Sequence, residues 1–318
     1  MDLLNIDKNN PISVMDFNSS YLLSFTDYLD LSPKTLKSYK GAIKCFIDYL
    51  TFNSITNPTR NDIVNYRSAL IDKGLKPTTI HAYINAIKRG FEWLDYNGLY
   101  KNIAINIKSV KISNLYHRKD SLTLDQAKEI LNYYKRDTLE GKRNYAIILL
   151  CLECGLRTIE LQRSNVNDIR NMANYRVIYI MGKGHQEKDR YNKISPYLDG
   201  AIRDYLLTRG VESESEPLFT SLSDRNNKER LSSDMISRII KKALRGVGLD
   251  TERLTAHSLR HTTATLNILL GGSLEETQEL LRHANPNTTM IYINENKRAS
   301  NNSELRLEKA LLTTNNAY

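Results

Sequence analysis

Residues 256–261 read AHSLRH, and the side chains in that stretch could serve two different chemistries. His257 and His261 stand four apart, the spacing of two zinc ligands on one helical face. His257 and Arg260 stand three apart. That also shares a face, but it suits a phosphate better, because a guanidinium offers paired donors and no lone pair. A second pair, Cys151 and Cys154, has the Cys-x-x-Cys spacing of redox and zinc sites. Neither a second cysteine pair nor a preceding thioredoxin-like strand accompanies it, so it reads as two buried thiols acting as small apolar groups.

The elements that must position these groups are mostly helices. LSPKTLKSYKGAIKCFIDYL offers Ser32 as an N-cap and Pro33 at the first helical position, with Leu36, Ile43, Phe46, Ile47 and Leu50 as the apolar stripe. KPTTIHAYINAIKRGFEWLDYNG repeats the design, opening at Pro77 and stopping at Gly98. Helices over 17–30 and 59–73 complete a four- or five-helix domain. Residues 106–121 show little periodicity and read as a linker. The next helix begins where Thr123 and Gln126 stand at capping-box spacing. KRNYAIILLCLECGL, 142–156, is a buried helix ending at Gly155. NYRVIYI, 174–180, carries the clear β signal, and EKDRYNKIS is its hairpin partner across the turn MGKGHQ. Helices over 233–246, 257–270, 274–282 and 287–293 follow, and SELRLEKALL is an amphipathic piece near the C-terminus.

The length, 318 residues, accommodates two domains, each with its own core. Hydrophobic residues at 41% and charged residues at 25% suit a soluble globular protein. No apolar run approaches the roughly 20 residues of a membrane helix, and no signal peptide is evident. Three cysteines cannot build a disulfide framework, which points to a reducing cytoplasm. The net charge of +9 is spread over both halves: 14 basic and 10 acidic side chains in 1–112, 31 and 26 in 113–318. A polyanionic partner such as nucleic acid fits this balance.

In chain order the remaining chemistry-bearing residues are Arg157 and Glu160 in GLRTIEL, Lys183 in MGKGHQ, His257 and Arg260, His283 in LLRHANPNTTM, and Tyr292 in IYI. As an ordered set they resemble the tyrosine recombinase (phage integrase) family, including Xer-type recombinases and integrases of mobile elements. The last four stand 3, 23 and 9 residues apart, the short spacing of compact members. The resemblance implies that His-x-x-Arg serves phosphate and that the enzyme needs no metal and no cofactor. The sequence agrees independently, since no Glu follows His257 as a zinc peptidase requires and no third ligand stands nearby. His261 then reads as a structural histidine bonded within the core.

The resemblance also distributes roles. Tyr292 attacks the scissile phosphorus, giving a 3′-phosphotyrosine and a free 5′ hydroxyl. Arg157 and Arg260 clamp the non-bridging oxygens, and His283 adds a donor. Lys183, at the hairpin tip, is the general acid for the leaving oxygen, with Lys188 and Lys193 as less favoured alternatives. His257 is an acid–base partner near the tyrosine or the phosphate. Glu160 orients a catalytic side chain from behind. Lys34, Lys37, Lys88 and Arg89 are DNA-contact candidates. Arg282, where members usually carry Gly, is a further one, with a solvated helix end as its other reading; Ala256 replaces a common proline.

The implied fold is mainly α with a small β-sheet or hairpin in the catalytic domain. Residues 1–112 form a helical core-binding domain, 113–121 a linker, and 122–318 the catalytic domain with a C-terminal exchange segment. The family implies a C-shaped clamp on a double-stranded recombination site and a homotetramer on two duplexes, passing through a Holliday junction. Without DNA the expected state is a monomer or weak dimer. An accessory DNA-bending or directionality protein and a cytoplasmic, nucleoid-associated setting in a prokaryote complete the expectation. The alternatives are a type IB topoisomerase-like strand-passing enzyme and a catalytically silent DNA-binding descendant.

Overall fold

The computed structural model describes residues 17–111, 120–182, 186–224, 228–286, 288–292 and 301–312. The chain separates into two compact units, Met1–Asn114 and Leu115–Tyr318, each with its own apolar core.

The first unit is helical: α1 (Ser19–Ser24) running into a 3-10 turn at Phe25–Tyr28, then α2 (Pro33–Phe52), α3 (Arg60–Asp72) and α4 (Pro77–Tyr96). The start of α2 is fixed chemically, since the Ser32 hydroxyl accepts the Thr35 N–H at 3.3 Å and Pro33 fills a position whose N–H would have no partner. At α3 the Asp62 carboxylate returns to the Thr59 N–H at 2.7 Å, half of a capping box. Ile43 and Phe46 of α2, Ile63 of α3, and Ile84, Ile87 and Phe91 of α4 meet in the interior with no exposed surface. Each such side chain contributes about 1.5–3 kcal/mol of transfer free energy.

The second unit holds α5 (Leu124–Asn132), α6 (Leu139–Cys154), α7 (Thr158–Arg163), strands β1 (Ile169–Met172), β2 (Tyr175–Ile180) and β3 (Arg190–Ile194), and then α8 (Pro196–Arg209), α9 (Ser233–Gly246), α10 (Ala256–Leu269) and α11 (Leu274–Leu281). A helical segment at 288–292 and a terminal helix, Ser303–Leu312, follow. Helix α6 is apolar nearly all round and packs against α5, α8, α9, α10 and β3, so it forms the axis of the unit. The sheet is antiparallel in the order β1-β2-β3, with Ile169 opposite Ile178 and Ile180 opposite Arg190.

The mainly helical architecture with one small sheet agrees with the sequence expectation, and the 174–180 hairpin runs where its β-branched residues placed it. Three elements were not foreseen. Strand β1, IRNM, has almost no β-branched content and joins β2 through a two-residue turn in which Ala173 takes φ +49°. Helix α7 is only six residues long. Helix α8 had a readable signal, Ser195 as N-cap and Pro196 in the first turn, the same device that opens α2. Cys151 and Cys154 are buried, and loss of hydration pushes both thiols well above their usual range, Cys151 to about 12.

Candidate active site

Helix α6 ends at Gly155, where two constraints coincide. The backbone is left-handed, with φ +57°, and a Cβ there would stand 2.5 Å from Leu281 Cδ2. Only glycine meets both. The chain therefore turns sharply, and two residues later Arg157 caps α7.

Glu160, 1% exposed, is the centre of the network that follows. Its carboxylate accepts the Arg157 N–H at 2.8 Å, the Arg157 guanidinium at 2.7 Å and the Arg282 guanidinium at 2.9 Å. Burial pushes the Glu160 carboxyl up, but Arg282, the Arg157 N–H, the Arg157 charge and Arg260 outweigh it and hold the group below its ordinary range. Arg157 is thus held from behind by an anion while its side chain stays about a third exposed.

Arg282 occupies the residue after α11 in a left-handed conformation, φ +55°, a position that favours glycine. Its side chain turns inward, to Glu160, the Cys154 carbonyl, the Leu280 carbonyl and Asn192 Oδ1. This corrects the expectation of a DNA contact: at 9% exposure, with these partners, Arg282 is a buried strut behind Arg157. Burial lowers its basicity, and Glu160 offsets part of that loss.

Arg260, on α10, is 2% exposed and donates to the carbonyls of Gly155 and Leu281, which fix the plane of its guanidinium. Burial, with the charges of Arg157 and Arg282, pushes it down to about 9, while Glu160 and Tyr292 oppose the shift. It remains a cation at neutral pH. Two of its five N–H donors hold carbonyls, so the group keeps donors for an incoming oxyanion.

On the next residue of α10, the Nδ1 of His261 lies 2.5 Å from the Tyr292 hydroxyl. His261 is buried and Tyr292 is 2% exposed. The rings of His257 and His261 meet edge to face at 4.6 Å, and His257 itself is exposed. His283 directs Nδ1 to the Thr289 hydroxyl at 2.8 Å, on the segment that carries Tyr292.

The structure thus pairs Arg157 with Glu160, joins His257 to Tyr292 through His261, ties His283 to Thr289, and places Arg260 where the charges of Arg157 and Glu160 and the phenol of Tyr292 act on it. Lys183 lies outside the described residues, in the connection between β2 and β3. The two alternatives to it are engaged: Lys188 pairs with buried Asp168 at 2.5 Å, and Lys193 lies 4.0 Å over the Tyr175 ring. Lys34 and Lys37 on α2 and Arg89 on α4 are exposed, Arg89 being 3.7 Å from Glu92; Lys88 is half-buried. The contacts that sequence reading missed are His261 on Tyr292 and Arg282 on Glu160. The first had a signal, the four-residue spacing from His257; the second had none, because residues 160 and 282 are linked only by the fold. Among the described residues, no three His, Cys, Asp or Glu side chains group as they would around a metal ion, and no helix is long and apolar enough to cross a membrane.

Comparison with known proteins bears on this arrangement. The model of the phage integrase family matches residues 120–299, and that of the phage integrase N-terminal SAM-like domain matches residues 22–98. The chain is similar to the tyrosine recombinase XerA of Pyrococcus horikoshii, 32% identical over 277 residues that cover 86% of this chain and 89% of that protein. Its fold is similar to the XerH site-specific recombinase in a post-cleavage complex with palindromic difH substrate, with TM-score 0.70, 22% identity, and coverage of 92% and 84%. It is also similar to a lambda integrase in a tetramer bound to a Holliday junction, with TM-score 0.66, 19% identity, and coverage of 86% and 75%.

Proposed function

The chain belongs to the phage integrase family of tyrosine recombinases, and we propose that it cleaves and rejoins DNA at a specific site through a 3′-phosphotyrosyl bond at Tyr292. The observation that carries this is that the family-matched region holds Arg157, fixed by Glu160, together with buried Arg260 and, on the next residue of the same helix, His261 bonded to the phenol of Tyr292.

The chemistry follows from the groups. Attack by the phenolic oxygen transfers the phosphodiester to the protein, so the bond energy is kept and no external energy source is needed. Charge accumulates on the non-bridging oxygens, and Arg157 and Arg260 meet it with guanidinium donors. Arg260 acts from a desolvated position, where each such bond is strong. Arg157 reaches from the half-exposed side, its direction set by Glu160 and, through Glu160, by Arg282. His283 supplies a further donor. Lys183 protonates the leaving 5′ oxygen, and His257 stands beside as an acid–base partner. Donation of this kind contributes about 10²–10⁴ in rate.

The partner is a double-stranded recombination site, with Lys34, Lys37, Lys88 and Arg89 as phosphate contacts in the first unit. The solved lambda integrase tetramer on a Holliday junction supports exchange by four protomers on two duplexes, and the exposed leucines of the terminal helix, Leu305, Leu311 and Leu312, suit a protomer contact. The outcomes covered are integration and excision of a mobile element and resolution of joined DNA molecules. The relatives described are recombinases, which gives no support to a strand-passing topoisomerase.

The test is covalent trapping. Nicked duplex fragments from DNA flanking the gene are mixed with the protein in EDTA and run on a denaturing gel. A protein–DNA band that vanishes in Tyr292→Phe, with DNA binding kept, is expected. No band on any fragment that is bound specifically would favour the silent descendant.

A further inference from the structure

The ordered motif leaves one buried imidazole unused, and that imidazole touches the nucleophile. We infer that His261 is the base that takes the phenolic proton of Tyr292 during cleavage and returns it during rejoining. This rests on the reading of Tyr292 as nucleophile.

The geometry carries the assignment. The Nδ1 of His261 is 2.5 Å from the reacting oxygen, within direct proton-transfer distance, with ring centroids 5.5 Å apart. Both groups are buried, so the proton has an imidazole partner at close range. His261 follows Arg260 on α10, and that helix is pinned by Thr262, whose hydroxyl accepts the Leu122 N–H at 2.8 Å, and by Thr263, whose hydroxyl donates to α6 carbonyls. Base and phosphate clamp therefore share one rigid element. His257, edge-on to His261 and exposed, is left for the leaving-group side together with Lys183.

The step balances. With its proton on Nε2, His261 presents the Nδ1 lone pair to the phenol. As the Tyr292 oxygen bonds to phosphorus, its proton passes to Nδ1, the bond from phosphorus to the 5′ oxygen breaks, and that oxygen is protonated by Lys183 or His257. On rejoining, the 5′ hydroxyl attacks, the phosphotyrosyl bond breaks, and the imidazolium returns its proton to the phenolate.

The test uses the full chain and suicide duplexes whose scissile phosphate carries either the ordinary 5′ oxygen or a 5′ bridging sulfur. Sulfur leaves as a thiolate without a proton, so it rescues a lost general acid and not a lost base. His261→Gln is expected to slow covalent-complex formation by about 10²-fold or more on both substrates, while Lys183→Ala recovers on the sulfur substrate. His261→Asn, which keeps a hydrogen-bonding atom near the Nδ1 position, is expected to fold and bind DNA like the wild type and to show the same loss. Rescue of His261→Gln by sulfur would move its role to the leaving group and overturn the assignment. An unchanged or faster rate would make the contact a mere restraint on Tyr292 and would overturn it too, as would failure of both variants to fold. Absence of any complex with the wild type, or a complex persisting in Tyr292→Phe, would instead sink the nucleophile reading.

Discussion

Glu160 joins the guanidinium groups of a sequence neighbour, Arg157, and of Arg282, distant in the chain, and its removal has a calculable signature. Glu160→Gln leaves Arg157 and Arg282 facing each other without the anion, which should cost about 3 kcal/mol at neutral pH. The sign with pH is fixed, because a carboxyl held below its unfolded value of 4.5 contributes stability that is complete above that value and lost as pH falls through the folded one. The gap between wild type and Glu160→Gln in urea unfolding should therefore shrink below pH 4.5. Arg282→Gly should relieve about 1 kcal/mol of left-handed strain but lose the ion pair, giving a less stable protein. Its DNA affinity should keep the wild-type salt slope, whereas a lost phosphate contact lowers that slope by about 1. At this scale the motif residues were legible because their types and order are themselves the signal. The inward turn of Arg282 was not, because its partner lies 122 positions away.

The elements were legible wherever caps and stripes coincide, as at Ser32–Pro33 and at Thr123 with Gln126, where both arms of the capping box form at 3.0 and 3.2 Å. Strand β1 escaped because a strand of four residues is recognised by its partner, and Arg170 and Asn171 carry no alternation. The α6 stop at Gly155 was read from the glycine alone; the close approach of Leu281 and the Arg260 bond to the Gly155 carbonyl belong to the folded unit. Gly155→Ala must accept both a positive φ and a 2.5 Å contact. It should lower stability by about 2–4 kcal/mol in urea unfolding and reduce DNA cleavage through displacement of Arg260.

At the scale of the molecule, the even spread of positive charge was visible in the sequence, and each of the two units contains a large apolar core of its own. Both units should therefore fold when expressed separately, each giving a cooperative thermal transition. In the full chain, Lys37→Gln and Lys88→Gln should each lower the slope of log affinity against log salt by about 1, uniformly across DNA sequences. What stayed illegible at this scale is the specificity: base recognition depends on which side chains reach the grooves, and helix periodicity does not encode that.

The central claim is that one tyrosine among 19 forms the bond to DNA. The most direct measurement digests the covalent complex with protease and nuclease and locates the nucleotide adduct by tandem mass spectrometry. A 3′-phosphonucleotide on Tyr292 alone is expected. An adduct on any other tyrosine would contradict it.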